Sequence, residues 1–67
     1  MRKYQVRDTN GEVLWEGEAP SQEEAAKAFI ATLDLIDAGE VFITAKLYEV
    51  FDDGGSWLLT IDLNDYI

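Results

Sequence analysis

Cysteine and histidine are both absent from the 67 residues, and each absence closes off a class of chemistry. Without thiols there is no disulfide framework and no thiolate nucleophile. Without imidazole there is no histidine-based metal centre and no histidine general base. Basic residues are nearly as scarce, because 5 Lys+Arg stand against 14 Asp+Glu and leave a net charge of -9. Direct binding to nucleic acid or to anionic membranes is disfavoured, since phosphates attract bases and repel such a surface. No apolar run approaches the roughly 20 residues of a membrane span. Met1-Arg2-Lys3-Tyr4-Gln5 has a basic start with no apolar stretch behind it, so it is not read as a signal peptide. A cytoplasmic protein is expected.

A hydrophobic fraction of 48% is that of a folded chain, too high for a disordered acidic tail. The length suits one small α+β domain spanning residues 1–67. Asn10-Gly11, Pro20-Ser21, Gly39 and Asp53-Gly54-Gly55 punctuate it into five elements. From Arg2 to Asp8 the residues alternate, and Asn10-Gly11 predicts a two-residue type I′ hairpin turn. The implied register sets Val6 opposite Trp15 and Tyr4 opposite Gly17 on one face. On the other face Lys3 meets Glu18 and Gln5 meets Glu16, so the chemistry of both faces agrees with the pairing.

Ser21-Gln22-Glu23-Glu24 is a capping box opening a helix, with Ala26, Phe29, Ile30, Leu33 and Ile36 as its apolar stripe. Gly39 is the expected terminator, placing the helix end near Asp37 or Ala38. A long strand is predicted over Val41–Phe51 and a second from Trp57 to about Leu63. A three-residue Asp53-Gly54-Gly55 loop would pair Phe51 with Trp57, Val50 with Leu58, Leu47 with Ile61, Lys46 with Asp62 and Ala45 with Leu63. Glu49 opposite Leu59 is the misfit in that register, which suggests a bulge near Tyr48-Glu49. The order is ββαββ: a four-stranded sheet with one helix across one face. The crossover rule favours parallel first and last strands at the centre, in the spatial order 2-1-4-3. In element order this layout resembles the β-grasp, as in the immunoglobulin-binding domain of streptococcal protein G. No binding residue is carried over from that resemblance.

Candidate chemistry is sparse. Asp52-Asp53 beside Gly54-Gly55 lacks the alternating oxygen ligands and distant glutamate of a calcium loop, and reads as a solvated turn. Asp34, Asp37 and Glu40 lie about a helical turn apart, but a solvated helix end explains them. Ser21 is taken by the cap, and Ser56 has no histidine to activate it. Gly54-Gly55 lacks the lysine and following helix of a phosphate loop. No enzyme, cofactor or metal is expected.

Two surfaces remain as candidate partner contacts. Trp15, Trp57 and Phe29 are assigned to the core, whereas Phe42, Tyr48, Val50, Leu58 and Tyr66 fall on the sheet face the single helix leaves open. Glu12, Glu16, Glu18, Glu23, Glu24, Asp34 and Asp37 form the acidic candidate, able to stand in for nucleic-acid phosphates on a basic groove. In size, charge and plain βα architecture the chain resembles the small acidic phage inhibitors of host defence, the anti-CRISPR class among them. That resemblance implies a non-enzymatic inhibitor, with DNA mimicry as one means, that occupies a larger protein or ribonucleoprotein complex with a basic surface. The alternative is a homodimeric or accessory interaction domain without inhibitory role.

Overall fold

The first turn sets the pattern for both hairpins. The computed structural model describes residues 1–33 and 43–67. Strand β1 (Arg2–Arg7) pairs antiparallel with β2 (Val13–Ala19) in the register read from the sequence, Val6 opposite Trp15 and Lys3 opposite Glu18. The connection differs from the two-residue type I′ turn. Gly11 N–H donates to the Asp8 carbonyl (3.0 Å), Asp8 N–H donates to the Glu12 carbonyl (2.9 Å), and only Gly11 has positive φ (85°). A type I′ turn needs positive φ at Asn10 as well. Asp8 decides against it: its carboxylate accepts the N–H groups of Asn10 (2.8 Å) and Glu12 (2.9 Å). These bonds favour a three-residue loop ending on a left-handed glycine. A register shift between Val6 and Arg7, which pairs Arg7 with Val13, absorbs the extra loop residue.

Helix α1 (Gln22–Ala31) starts where expected, with Glu24 N–H donating to Ser21 Oγ (3.3 Å). The Glu24 carboxylate turns to Lys27 (3.7 Å) rather than completing the capping box. The helix stops at Ala31, well short of the expected terminator. Thr32 Oγ1 donates to the Phe29 carbonyl (2.6 Å), while Thr32 and Leu33 N–H tighten onto the Phe29 and Ile30 carbonyls. These shorter-range bonds close the last turn. The expected end near Asp37 or Ala38, with Gly39 and Ile36, lies outside the described residues, as do Val41 and Phe42.

Strand β3 (Lys46–Val50) is shorter than the predicted Val41–Phe51, and β4 (Ser56–Leu58) is shorter still. Their loop is Asp52-Asp53-Gly54, one residue earlier than read. Gly54 N–H donates to the Phe51 carbonyl (3.0 Å), Phe51 N–H donates to that of Gly55 (2.8 Å), and Gly54 takes the left-handed φ of 88°. Moving the loop by one residue moves the register by two. Tyr48 therefore faces Leu58, Glu49 faces Trp57 and Val50 faces Ser56. The Phe51–Trp57, Val50–Leu58, Leu47–Ile61, Lys46–Asp62 and Ala45–Leu63 pairs are replaced. No shift interrupts β3 near Tyr48-Glu49, because Glu49 no longer opposes Leu59. After Leu59, whose N–H donates to the Leu47 carbonyl (3.0 Å), the chain leaves the ladder for a 3-10 turn at Leu63–Tyr66.

The fold is α+β with a four-stranded antiparallel sheet, in the order β2-β1-β3-β4 rather than 2-1-4-3. β3, not the last strand, lies beside β1, and the central pair is antiparallel. β2 and β3 still run parallel across the helix connection, separated by one strand instead of two. Strand quality explains the choice. β3 has five residues with Leu47 fully buried, whereas β4 has three exposed residues and suits an edge. Tyr4, Val6, Leu47, Ala25, Ala26, Phe29 and Leu63 form the core between sheet, helix and 3-10 turn. Burying side chains the size of Val6 and Leu47 contributes about 1.5–3 kcal/mol each. Trp15 is half-buried against this core, but Trp57, expected inside, is 67% exposed. Helix α1 packs chiefly on β2, β1 and the 3-10 turn, leaving Trp57 on β4 uncovered.

Candidate functional site

The registers put one residue from each strand into a single row across the open face: Glu16, Gln5, Tyr48 and Leu58. A second row runs Glu18, Lys3, Val50 and Ser56. Period-two alternation sends these side chains to the face opposite Tyr4, Val6 and Leu47. The face is therefore graded, acidic on β2, basic and amide-bearing on β1, and apolar at Tyr48, Val50 and Leu58 on β3 and β4.

Side-chain bonds hold the grading in place. Gln5 Nε2 donates to Glu16, and Arg7 donates from Nε (3.1 Å) and Nη2 (2.8 Å) to Gln5 Oε1. The same guanidinium carbon lies 4.5 Å from the Tyr48 ring centroid. A cation over an aromatic face is attracted by the ring quadrupole, and here it also fixes the tyrosine's orientation. Tyr48 and Val50 are half-buried and Leu58 is 50% exposed, so the apolar end of the row is open. Lys3, Arg7 and Lys46, three of the five basic residues, belong to this face.

Carboxylates frame the sheet at its two ends. Glu23 and Glu24 at the helix start lie at the same end as the Asp52-Asp53 turn. Asp8, Glu12, Asp62 and Asp65 lie at the other. The Glu23 carboxyl is held below its ordinary range by hydrogen bonding to its own backbone N–H, helped by Ser21. That of Asp62 is lowered by the backbone N–H of Asn64 and then its side-chain amide, with a smaller contribution from Lys46. No group of three or more potential metal ligands occurs among the described residues.

Of the residues singled out on the open face, Tyr48, Val50 and Leu58 are brought together. Tyr66 is not, since it sits on the 3-10 turn and packs against the core. Phe42, Asp34 and Asp37 lie outside the described residues. Glu12, Glu16, Glu18, Glu23 and Glu24 are all exposed. Arg7 and Gln5 were missed as site residues. Their parity was visible in β1, but in a 2-1-4-3 order β1 would not touch the strand that carries Tyr48.

Asn64 was also missed. Its Oδ1 accepts Ile43 N–H (2.8 Å) and its Nδ2 donates to the Ile43 carbonyl (3.0 Å), so one side chain replaces a strand pairing. Asp62 Oδ1 accepts both the N–H (2.9 Å) and Nδ2 (3.1 Å) of Asn64. Between this clamp and the end of the ladder lies an open cavity of about 300 Å³, bordered by Thr44, Lys46, Thr60 and Asp62.

Comparison with protein-family models, with curated proteins and with solved structures gives no match.

Proposed function

We propose that this chain is a non-enzymatic binding protein that occupies a basic surface on a larger protein or ribonucleoprotein partner. By doing so it blocks the partner's contact with nucleic acid, in the manner of the small acidic phage inhibitors that its size and charge resemble. One observation carries the reading: the graded row Glu16, Gln5, Tyr48 and Leu58 sets an aromatic and apolar contact beside exposed carboxylates. Tyr48 and Leu58 supply buried area, with the tyrosine keeping a hydrogen-bonding tip. Glu16 and Glu18 meet the partner's lysines and arginines, and the carboxylates at the sheet ends, Glu12, Glu23 and Glu24 among them, steer the approach.

Area favours a large partner over a second copy on this face. Four strands about 4.8 Å apart and about 17 Å long span on the order of 320 Å². A stable interface buries about 800 Å² per partner. Contact must extend past the face onto the acidic rim, and a second copy, with the same net charge of -9, is repelled there.

The test immobilises the parent, Tyr48→Ala/Leu58→Ser and Glu16→Gln/Glu18→Gln, and measures binding of a basic nucleic-acid-binding complex captured by the parent. The face variant is expected to lose about 1–3 kcal/mol of association. The charge variant is expected to associate more slowly with a flatter salt dependence. Unchanged binding by both variants would refute the assignment.

A further inference from the structure

The sheet has two edges, and among the described residues only one is guarded. On β2 the exposed charges of Glu16 and Glu18, followed by Pro20, are the usual devices against strand addition. The other edge, β4 (Ser56–Leu58), contains no charge and no proline, nor do Leu59-Thr60-Ile61 that follow it. Its hydrogen-bonding phase is fixed by two bonds, Phe51 N–H to the Gly55 carbonyl and Leu59 N–H to the Leu47 carbonyl. Residues 55, 57 and 59 thus turn their backbone to β3. Alternation in an antiparallel ladder turns Ser56 and Leu58, which lie between them, outward. Among the described residues, none of the turn and loop backbone bonds uses either of them.

Apolar side chains flank that open backbone on both faces. Trp57 (67% exposed) and Phe51 (45%) stand on the helix side, and Leu58 (50%) on the other. Acidic residues bracket it, Asp52 and Asp53 before and Asp62 and Asp65 after, all exposed.

We propose that the β4 edge accepts an extended strand of the partner, apolar at its centre and carrying Lys or Arg at both ends. The main chain of the incoming strand bonds to Ser56 and Leu58, its central side chains cover Trp57 and Leu58, and its cations meet the flanking aspartates. A second copy of this chain is the wrong occupant. Antiparallel self-pairing centred on Leu58 sets Asp62 opposite Gly54 of the other copy, next to its Asp53, so like charges meet at both ends. The proposal rests on the reading of the chain as a binding protein and adds the mode of contact.

The probe is a fluorescein-labelled peptide, Lys-Lys-Val-Thr-Val-Thr-Val-Lys-Lys, followed by anisotropy. Two altered peptides separate the contributions: one N-methylated at alternate residues, with charge kept, and one with glutamates at its ends. Each is expected to bind at least about tenfold more weakly, because one loses the backbone ladder and the other the charge match. Ser56→Pro removes an outward donor at the first position of an edge strand, where proline is tolerated, and is expected to weaken the parent peptide similarly. Ala28→Ser, a charge-neutral change on the exposed side of α1 away from β4, is expected to leave peptide binding unchanged. Equal binding of the N-methylated peptide would mean charge alone attracts it and would overturn the proposal. So would an unaffected Ser56→Pro, or a stable dimer in sedimentation. Should Ser56→Pro fail to fold, the N-methylated peptide on the parent protein still decides.

Discussion

Replacing Asn64 by alanine tests how the chain end is tied to the sheet. The side chain makes two hydrogen bonds to the backbone of Ile43, at 2.8 and 3.0 Å, where the ladder between β3 and β4 has already ended. Each such bond contributes a net of about 0.5–1.5 kcal/mol, so their loss is worth about 1–3 kcal/mol. For a domain of this size every 1 kcal/mol lowers Tm by about 4–8 °C. Asn64→Ala is therefore expected to melt at least several degrees below the parent by circular dichroism. Asn64→Asp keeps the shape and the acceptor for Ile43 N–H. It loses the donor and sets a carboxylate against the Ile43 carbonyl and Asp62, so it should be no better than alanine at neutral pH. Amide exchange gives the local reading, with the Ile43 amide losing protection in Asn64→Ala, which removes its acceptor. A Tm within a degree of the parent, with Ile43 still protected, would refute the role given to Asn64.

Three further outcomes are expected. A Cβ on Gly17 would stand 2.7 Å from Trp15 Cζ2 and 3.0 Å from Cη2, so Gly17→Ala should displace the indole and cost about 1–3 kcal/mol, read by denaturation and by Trp15 emission in a Trp57→Phe background. A Cβ on Gly11 or Gly54 meets no atom within 4 Å but inherits φ of 85° or 88°; Gly11→Val and Gly54→Val should each cost about 1–2 kcal/mol of backbone strain, with Gly11→Asn milder than Gly11→Val. Asp62 has its carboxyl lowered in the folded state, so its contribution is complete above the ordinary carboxylate range and is lost as pH falls through the folded value. The stability of Asp62→Asn should accordingly fall less steeply than the parent's between neutral pH and strong acid.

How far the sequence reached depends on what each signal encodes. The first hairpin was legible because both faces of β1 and β2 carry consistent chemistry, and the register held even though the turn did not. The turn was misread because Asn-Gly is a strong two-residue signal, while the Asp8 carboxylate that selects the longer loop acts three residues away. In the second hairpin, Gly54 and Gly55 are both suited to the left-handed position, and choosing the later one shifted every pair by two. That choice created the Glu49 misfit; in the observed register Glu49 faces Trp57 and pairs with Arg2 (3.4 Å), while Trp57 keeps the helix side and is exposed because β4 is the edge strand that α1 does not cover. Strand order is carried by no local pattern, and with it went the contact between Arg7 and Tyr48. The open-face parity of Tyr48, Val50 and Leu58 survived because a two-residue slip preserves the face.

The central claim is that this chain and nucleic acid compete for one basic surface. Its most direct test loads the complex captured by the immobilised parent and titrates it with that complex's own nucleic-acid ligand at constant salt. Release in proportion to occupancy, with Tyr48→Ala/Leu58→Ser holding markedly less complex at the outset, is the predicted result. A ternary assembly in which chain and nucleic acid are bound together, or capture of nothing except further copies of the chain, would contradict it.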